Sequence, residues 1–276
     1  MQMIEDASKV VILALIEGVT EFLPISSTGH LIVGAAALNF DAMVPPIFEI
    51  FIQIGAVVAV LVYYRQQLAG QAAQLGASPE TRRFWVMIAL ACAPVALFGI
   101  IFQKEVESLY FSSQVVAASL IFGGIAILVI ERLPRLQPGA AKEETDLKQV
   151  TIRQVALIGL VQVLALIPGM SRSGASIVGG MLAGLDRRAA TEFSFFLAIP
   201  ILGGATLYKF ATTFNTLGSE QLLLLLLGAA LSAFFAWLAI DLLLKFISRH
   251  SFVAFGYYRI AAGILILLAV SAGLIS

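Results

Sequence analysis

Charge is scarce in this chain of 276 residues: Asp, Glu, Lys and Arg together make up 12% of it, about half of what a soluble domain uses to keep its surface wet. With 60% of residues hydrophobic, the composition excludes an ordinary water-soluble domain and makes lipid the natural solvent. Neither sign of charge is in surplus, since Lys and Arg number 17 and Asp and Glu also 17. No basic excess exists to hold nucleic acid. Cys92 is the single cysteine, which excludes an internal disulfide and a cysteine-rich zinc site. A cationic leader is missing as well: Met1 to Lys9 carries Glu5 and Asp6 and has no small-residue cleavage site, so this end is expected to be mature sequence.

What the chain has instead is long apolar runs. They cover about 48–64, 84–102, 115–130, 193–210, 221–243 and 260–275, each near the length of a bilayer crossing. Two shorter runs, about 10–23 and 154–167, reach a proline after about 14 residues, a length that suits a re-entrant segment. Ile25 to Gly34 (ISSTGHLIVG) aligns without gaps onto Met170 to Gly179 (MSRSGASIVG), and the same register sets Glu17 against Gln162. Phe48-Glu-Ile-Phe falls over Thr191-Glu-Phe-Ser at nearly the same offset. The expectation is therefore an all-α polytopic membrane protein, an inverted-topology repeat of six transmembrane helices plus two re-entrant helical hairpins. It forms one membrane domain over 1–276, with repeats 1–132 and 153–276 and a cytoplasmic linker 133–152. Three spans per half is an odd number, so the second half enters from the opposite face.

Charge tests the topology, because cytoplasmic loops collect Lys and Arg. Thirteen fall on one side, from Arg65, Arg82 and Arg83 to Lys245, Arg249 and Arg259, against three, Lys9, Lys104 and Lys209, on the other. Only Arg172 is expected inside the membrane, with both termini extracytoplasmic.

Ionisable groups within apolar segments cost roughly 3 kcal/mol each, so Glu17, Glu21 and Arg172 must be paired or hydrated. Glu17 and Glu21 are spaced i, i+4 and share a helix face. They face a common cavity, as a partner for Arg172, as metal ligands, or as both; hard divalent ions take oxygen ligands but normally more than two. Pro24 then ends the helix, and Ser26, Ser27 and Thr28 stand where a new one begins, with amides and hydroxyls that suit phosphate. Plain capping competes for Ser26 and Thr28. Ser27 and His30, at i, i+3, read as a hydroxyl with a general base. In the second break, Ser171, Arg172 and Ser173 between glycines read as a phosphate cradle, since Arg stays charged and binds phosphate bidentately. Glu49, Gln53 and Glu192 are expected to cap or pair locally, though they suit the same cavity. His250 is expected in a cytoplasmic loop, while Asp241 and Arg259 stay open.

Glu17-Gly-Val-Thr-Glu21-Phe-Leu-Pro-Ile-Ser-Ser-Thr-Gly-His30 and Pro168-Gly-Met-Ser-Arg-Ser-Gly-Ala-Ser176 resemble the bacterial undecaprenyl-pyrophosphate phosphatases of the bacitracin-resistance type. The resemblance runs the whole length and includes Glu192 to Pro200. It implies a hydrolase in the bacterial cytoplasmic membrane, facing the periplasm, that cleaves a C55 polyprenyl diphosphate to the monophosphate and recycles the carrier for peptidoglycan synthesis. By position it makes Glu17 and Glu21 the acidic motif, Ser27 and His30 the nucleophile region, and Arg172 the phosphate-binding arginine. Which of Ser27 and His30 attacks is left open. A divalent cation, Mg2+ or Ca2+, is implied by the family only. Ser176 stands where the family has threonine and keeps the hydroxyl. A homodimer is compatible with this reading. The competing class is a carrier that flips a polyprenyl phosphate, because broken helices at the midplane also build transporters.

Overall fold

The computed structural model describes residues 2–40, 45–109, 112–133, 145–213, 215 and 217–273. Among them all regular structure is helical, with no strand. The helices are α1 (Gln2–Thr20), α2 (Ser27–Leu38), α3 (Pro45–Tyr63), α4 (Arg65–Gln74), α5 (Pro79–Ile101), α6 (Gln103–Leu109), α7 (Ser113–Ile130), α8 (Ile152–Gln162), α9 (Arg172–Leu182), α10 (Arg187–Thr213), α11 (Ser219–Ile247) and α12 (Val253–Ser271). Local chemistry sets several starts. Ser78 caps α5 by accepting from the Thr81 amide, with Pro79 in the first turn. Thr151 and Gln154 close a reciprocal capping box on α8.

Five helices, α5, α7, α10, α11 and α12, are long and apolar enough to cross a membrane, and the pair Ile47–Tyr63 and Arg65–Gln74, bent by 75°, makes a sixth if taken as one span. Their outer faces are apolar: Ile100 is 77% exposed, Leu207 67% and Leu265 65%. In water such a surface would aggregate; in lipid it costs nothing. The two short apolar segments become helix pairs, α1 with α2 and α8 with α9, each packed against itself. Most of the expected linker lies outside the described residues, which leave out 134–144.

Packing places these pairs at the centre. Helix α1 rests on α11 as α8 rests on α5; α3 touches α11 as α10 touches α5; α7 lies along α12, and α3 along α10. Close approach is bought by glycine: a Cβ on Gly18 would lie 2.6 Å from the Ser232 carbonyl oxygen, and one on Gly55 2.2 Å from that of Ala229. Both α1 and α3 therefore press their backbones onto α11. Of the glycine pairs Gly123-Gly124, Gly179-Gly180 and Gly203-Gly204, the first two face close neighbours, whereas a Cβ on Gly204 would meet nothing within 4 Å.

Arg259 does not lie on the cytoplasmic face. Helix α12 starts at Val253, two turns before the apolar run at 260, and carries Arg259 into the protein, where it is fully buried. The aromatic pair Tyr257-Tyr258 ahead of it, amphipathic in character, hides the true start of the helix. Arg172 is thus not the only interior cation, and the charge count becomes twelve to three.

Candidate functional site

Each helix pair breaks at a serine held in a conformation that side chains rarely adopt. Ser26 has φ 73° and ψ 98°, and Ser171 has φ 72° and ψ 116°. Each is the N-cap of the helix that follows: the Ser26 hydroxyl accepts from the Gly29 amide and the Ser171 hydroxyl from that of Gly174. A positive φ at a non-glycine residue costs on the order of 1–3 kcal/mol and persists only where the surroundings enforce it. Here the caps and the cross-ties between the breaks enforce it. Ser173 donates to the Leu23 carbonyl at 2.9 Å and shares a 3.0 Å hydrogen bond with Ser171, so the second break is stitched to the first.

Three of the expected groups converge across this seam. The Ser27 hydroxyl donates to Glu21 Oε2 at 2.5 Å, and Arg172 Nη2 donates to Glu21 Oε1 at 3.0 Å. Glu21 is 5% exposed, so the ion pair is shielded from solvent. A second guanidinium nitrogen, Nη1, donates to the Ser194 carbonyl at 2.8 Å and to its hydroxyl at 3.2 Å. Ser176 in turn donates to the Ser194 hydroxyl at 2.7 Å, which locks the arginine in a fixed direction. A serine hydroxyl against a carboxylate, beside a guanidinium, is an arrangement able to attack phosphorus and to neutralise the charge that develops there.

His30 is turned elsewhere. Its Nδ1 lies 2.7 Å from the Ser26 carbonyl oxygen and must donate to it, which leaves Nε2 to accept from the Tyr258 hydroxyl at 2.5 Å. The imidazole expected to serve Ser27 as base instead secures the strained Ser26 peptide, and Glu21 takes the place beside the hydroxyl. The reason is directional: side chains on a helix lean toward its N-terminus. His30 therefore folds back over the first turn, while Ser27, the first helical residue, reaches across to the end of α1.

Thr28 donates to Glu49, drawing into the site an acid expected to pair locally. Glu192 does pair locally, with Arg188 one turn before it, and His250 is exposed and stacked on Phe246. Sequence reasoning passed over Ser194 and Tyr258. An acid near the start of the apolar run at 48–64 was the signal for Glu49, and the Thr191-Glu-Phe-Ser repeat match, which ends on Ser194, was one for Ser194; Tyr258 gave none, being an ordinary residue ahead of an apolar run.

Glu17 is fully buried, and neither carboxylate oxygen has a hydrogen-bond partner. Gln162, its counterpart in the sequence register, is likewise fully buried with both polar atoms unpartnered. The bare Glu17 oxygens suit a hard cation. Glu21 has both oxygens engaged, and among the described residues no three or more His, Cys, Asp or Glu form a ready-made cage.

Residues 10–265 match the family model described as bacitracin resistance protein BacA. Among curated relatives, a protein of Albidiferax ferrireducens called undecaprenyl-diphosphatase is 42% identical over 97% of this chain and 96% of its own. Another from Burkholderia lata, called undecaprenyl-diphosphatase 1, is 43% identical over 94% of both chains. A third, from Verminephrobacter eiseniae and called undecaprenyl-diphosphatase, is 43% identical over 96% of this chain and 95% of its own. Matches of this extent span both serine breaks and the helices that carry them, and on that basis the chain belongs to the bacitracin resistance protein BacA family.

Proposed function

We propose that this protein hydrolyses undecaprenyl diphosphate to undecaprenyl phosphate and inorganic phosphate in the bacterial cytoplasmic membrane. The reading is carried by the contact of Ser27, Glu21 and Arg172 at the seam of the two breaks. Ser27 Oγ attacks the terminal phosphorus in line, its proton passes to Glu21 and from there to the undecaprenyl phosphate that leaves with the bridging oxygen, so that Glu21 is ionised again. Water then attacks the phosphoserine with Glu21 as base, which releases phosphate and restores the hydroxyl. Ser27 is preferred to His30 as nucleophile because both imidazole nitrogens are engaged. Arg172, the first amides of α2 and α9, and the hydroxyls of Ser26, Thr28, Ser171 and Ser173 form the surroundings of the phosphates. Glu17, whose oxygens are bare, would hold a Mg2+ or Ca2+ ion, and Glu21 would join it only by giving up Ser27 or Arg172; when bound the ion would supply charge neutralisation at the phosphate oxygens.

The finer parts of this reading are that the site opens to the periplasm, that the activity recycles the carrier for peptidoglycan synthesis and confers bacitracin resistance, and that the chain is an inverted repeat of 1–132 and 153–276. The matched helix pairings support the repeat, and the charge bias supports extracytoplasmic termini. The same pairings also favour a second reading, a carrier that moves a polyprenyl phosphate across the bilayer. Phosphate release from undecaprenyl diphosphate by purified protein separates the two. Wild type is expected to turn over, Ser27→Ala to lose at least about 10^3-fold, and Arg172→Ala about 10^2- to 10^3-fold, as for loss of one charge-stabilising donor. A folded Ser27→Ala protein with near-normal turnover would sink the mechanism, and a wild type that moves lipid but releases no phosphate would establish the carrier.

A further inference from the structure

Arg259 is a charged side chain with no exposed surface, and among the described residues no carboxylate pairs with it. Its guanidinium is instead solvated by backbone. Nη1 donates to the Pro24 carbonyl at 3.1 Å; Nη2 to those of Ser119, Gly169 and Met170 at 3.1, 3.1 and 3.0 Å; and Nε to that of Leu120 at 3.3 Å. Three of these carbonyls lie just ahead of the strained serines: Pro24 stands two residues before Ser26, and Gly169 and Met170 run straight into Ser171. One planar group thus grips both breaks from beneath, with α7 as the third anchor. Room is made for it by Gly123, where a Cβ would fall 2.1 Å from Nη2.

A buried ion is expensive and is kept where its geometry is needed. A plain structural cation would be cheaper as a hydrophobic side chain or paired with an acid. The fork of the guanidinium has five donors at fixed angles, which suits it to fixing the separation of several carbonyls at once. We propose that Arg259 is a positioning residue for the reaction: by holding the Pro24 and Gly169-Met170 peptides on one rigid plane, it sets the distance between Ser27 and Arg172. This rests on the phosphatase reading. Lysine keeps the charge but reaches fewer carbonyls and imposes no common plane.

The test uses full-length protein in detergent and compares wild type, Arg259→Lys and Gly123→Ala, the last displacing the guanidinium without removing it. Inorganic pyrophosphate binding by calorimetry counts competent sites, turnover is expressed per site, and amide hydrogen exchange is followed at 25–29 and 169–174. Both variants are expected to keep pyrophosphate affinity and KM within about threefold while kcat per site falls at least about tenfold, with both breaks exchanging faster together. A merely structural role would lower kcat only in proportion to the number of sites. Should one variant fail to fold, the other carries the comparison. Wild-type kcat per site and wild-type exchange in a folded variant would overturn the assignment. Because exchange is read without turnover, an inactive wild type with faster exchange in the variants would sink the phosphatase reading alone.

Discussion

Glu21 has one oxygen on the Ser27 hydroxyl and the other on Arg172, so in the proposed mechanism a single carboxylate is both base and counterion. Glu21→Gln keeps the shape and removes both roles. Its kcat is expected to fall about 10^2- to 10^4-fold, the range for a lost general base, with circular dichroism unchanged; a loss under tenfold would move the base elsewhere. The serines at positive φ make a different prediction. Ser171→Gly relieves backbone strain of on the order of 1–3 kcal/mol and gives up a cap whose loss to glycine costs only a few tenths of a kcal/mol. Its thermal midpoint should therefore match or exceed wild type, and a marked fall would show that the hydroxyl link to Ser173 matters more.

Helix existence was legible in sequence because lipid demands continuous apolar runs, and all six expected spans have a counterpart among α3, α5, α7, α10, α11 and α12. The breaks were legible too, since proline and serine clusters interrupt those runs visibly. Partnership across helices was not. Glu49 meets Thr28 and Tyr258 meets His30 only through tertiary packing, and no local pattern encodes a separation of 228 residues. Arg259 was misplaced because a short polar-tipped stretch before an apolar run looks like a loop. At the same scale, the contact of Gly55 with α11 is testable: a Cβ would stand 2.2 Å from the Ala229 carbonyl oxygen and 2.8 Å from the Ala233 nitrogen. Backbone cannot yield as a side-chain tip can, so Gly55→Ala should cost about 1–3 kcal/mol or more. Chemical denaturation in detergent would measure it, and a loss below about 0.5 kcal/mol would mean that α3 and α11 slide freely.

For the whole molecule, the bonds between early and late segments lie in more than one layer. Glu131 at the end of α7 pairs with Arg187 at the start of α10 and accepts from the Phe252 amide before α12. Further along α10, Thr206 donates to the Ile50 carbonyl of α3 at 2.8 Å. At the centre stand the ties of Arg172 to Glu21 and of Ser173 to Leu23.

Fastenings at several separate places predict that the covalent thread between the halves is dispensable. Two polypeptides, 1–138 and 139–276, made in the same cell should find each other, co-purify through a tag on one of them, and release phosphate together, while either alone should be degraded. Continuity of the chain would then serve delivery of the two pieces in equal number, and the proposed reaction centre would be a joint that neither piece owns.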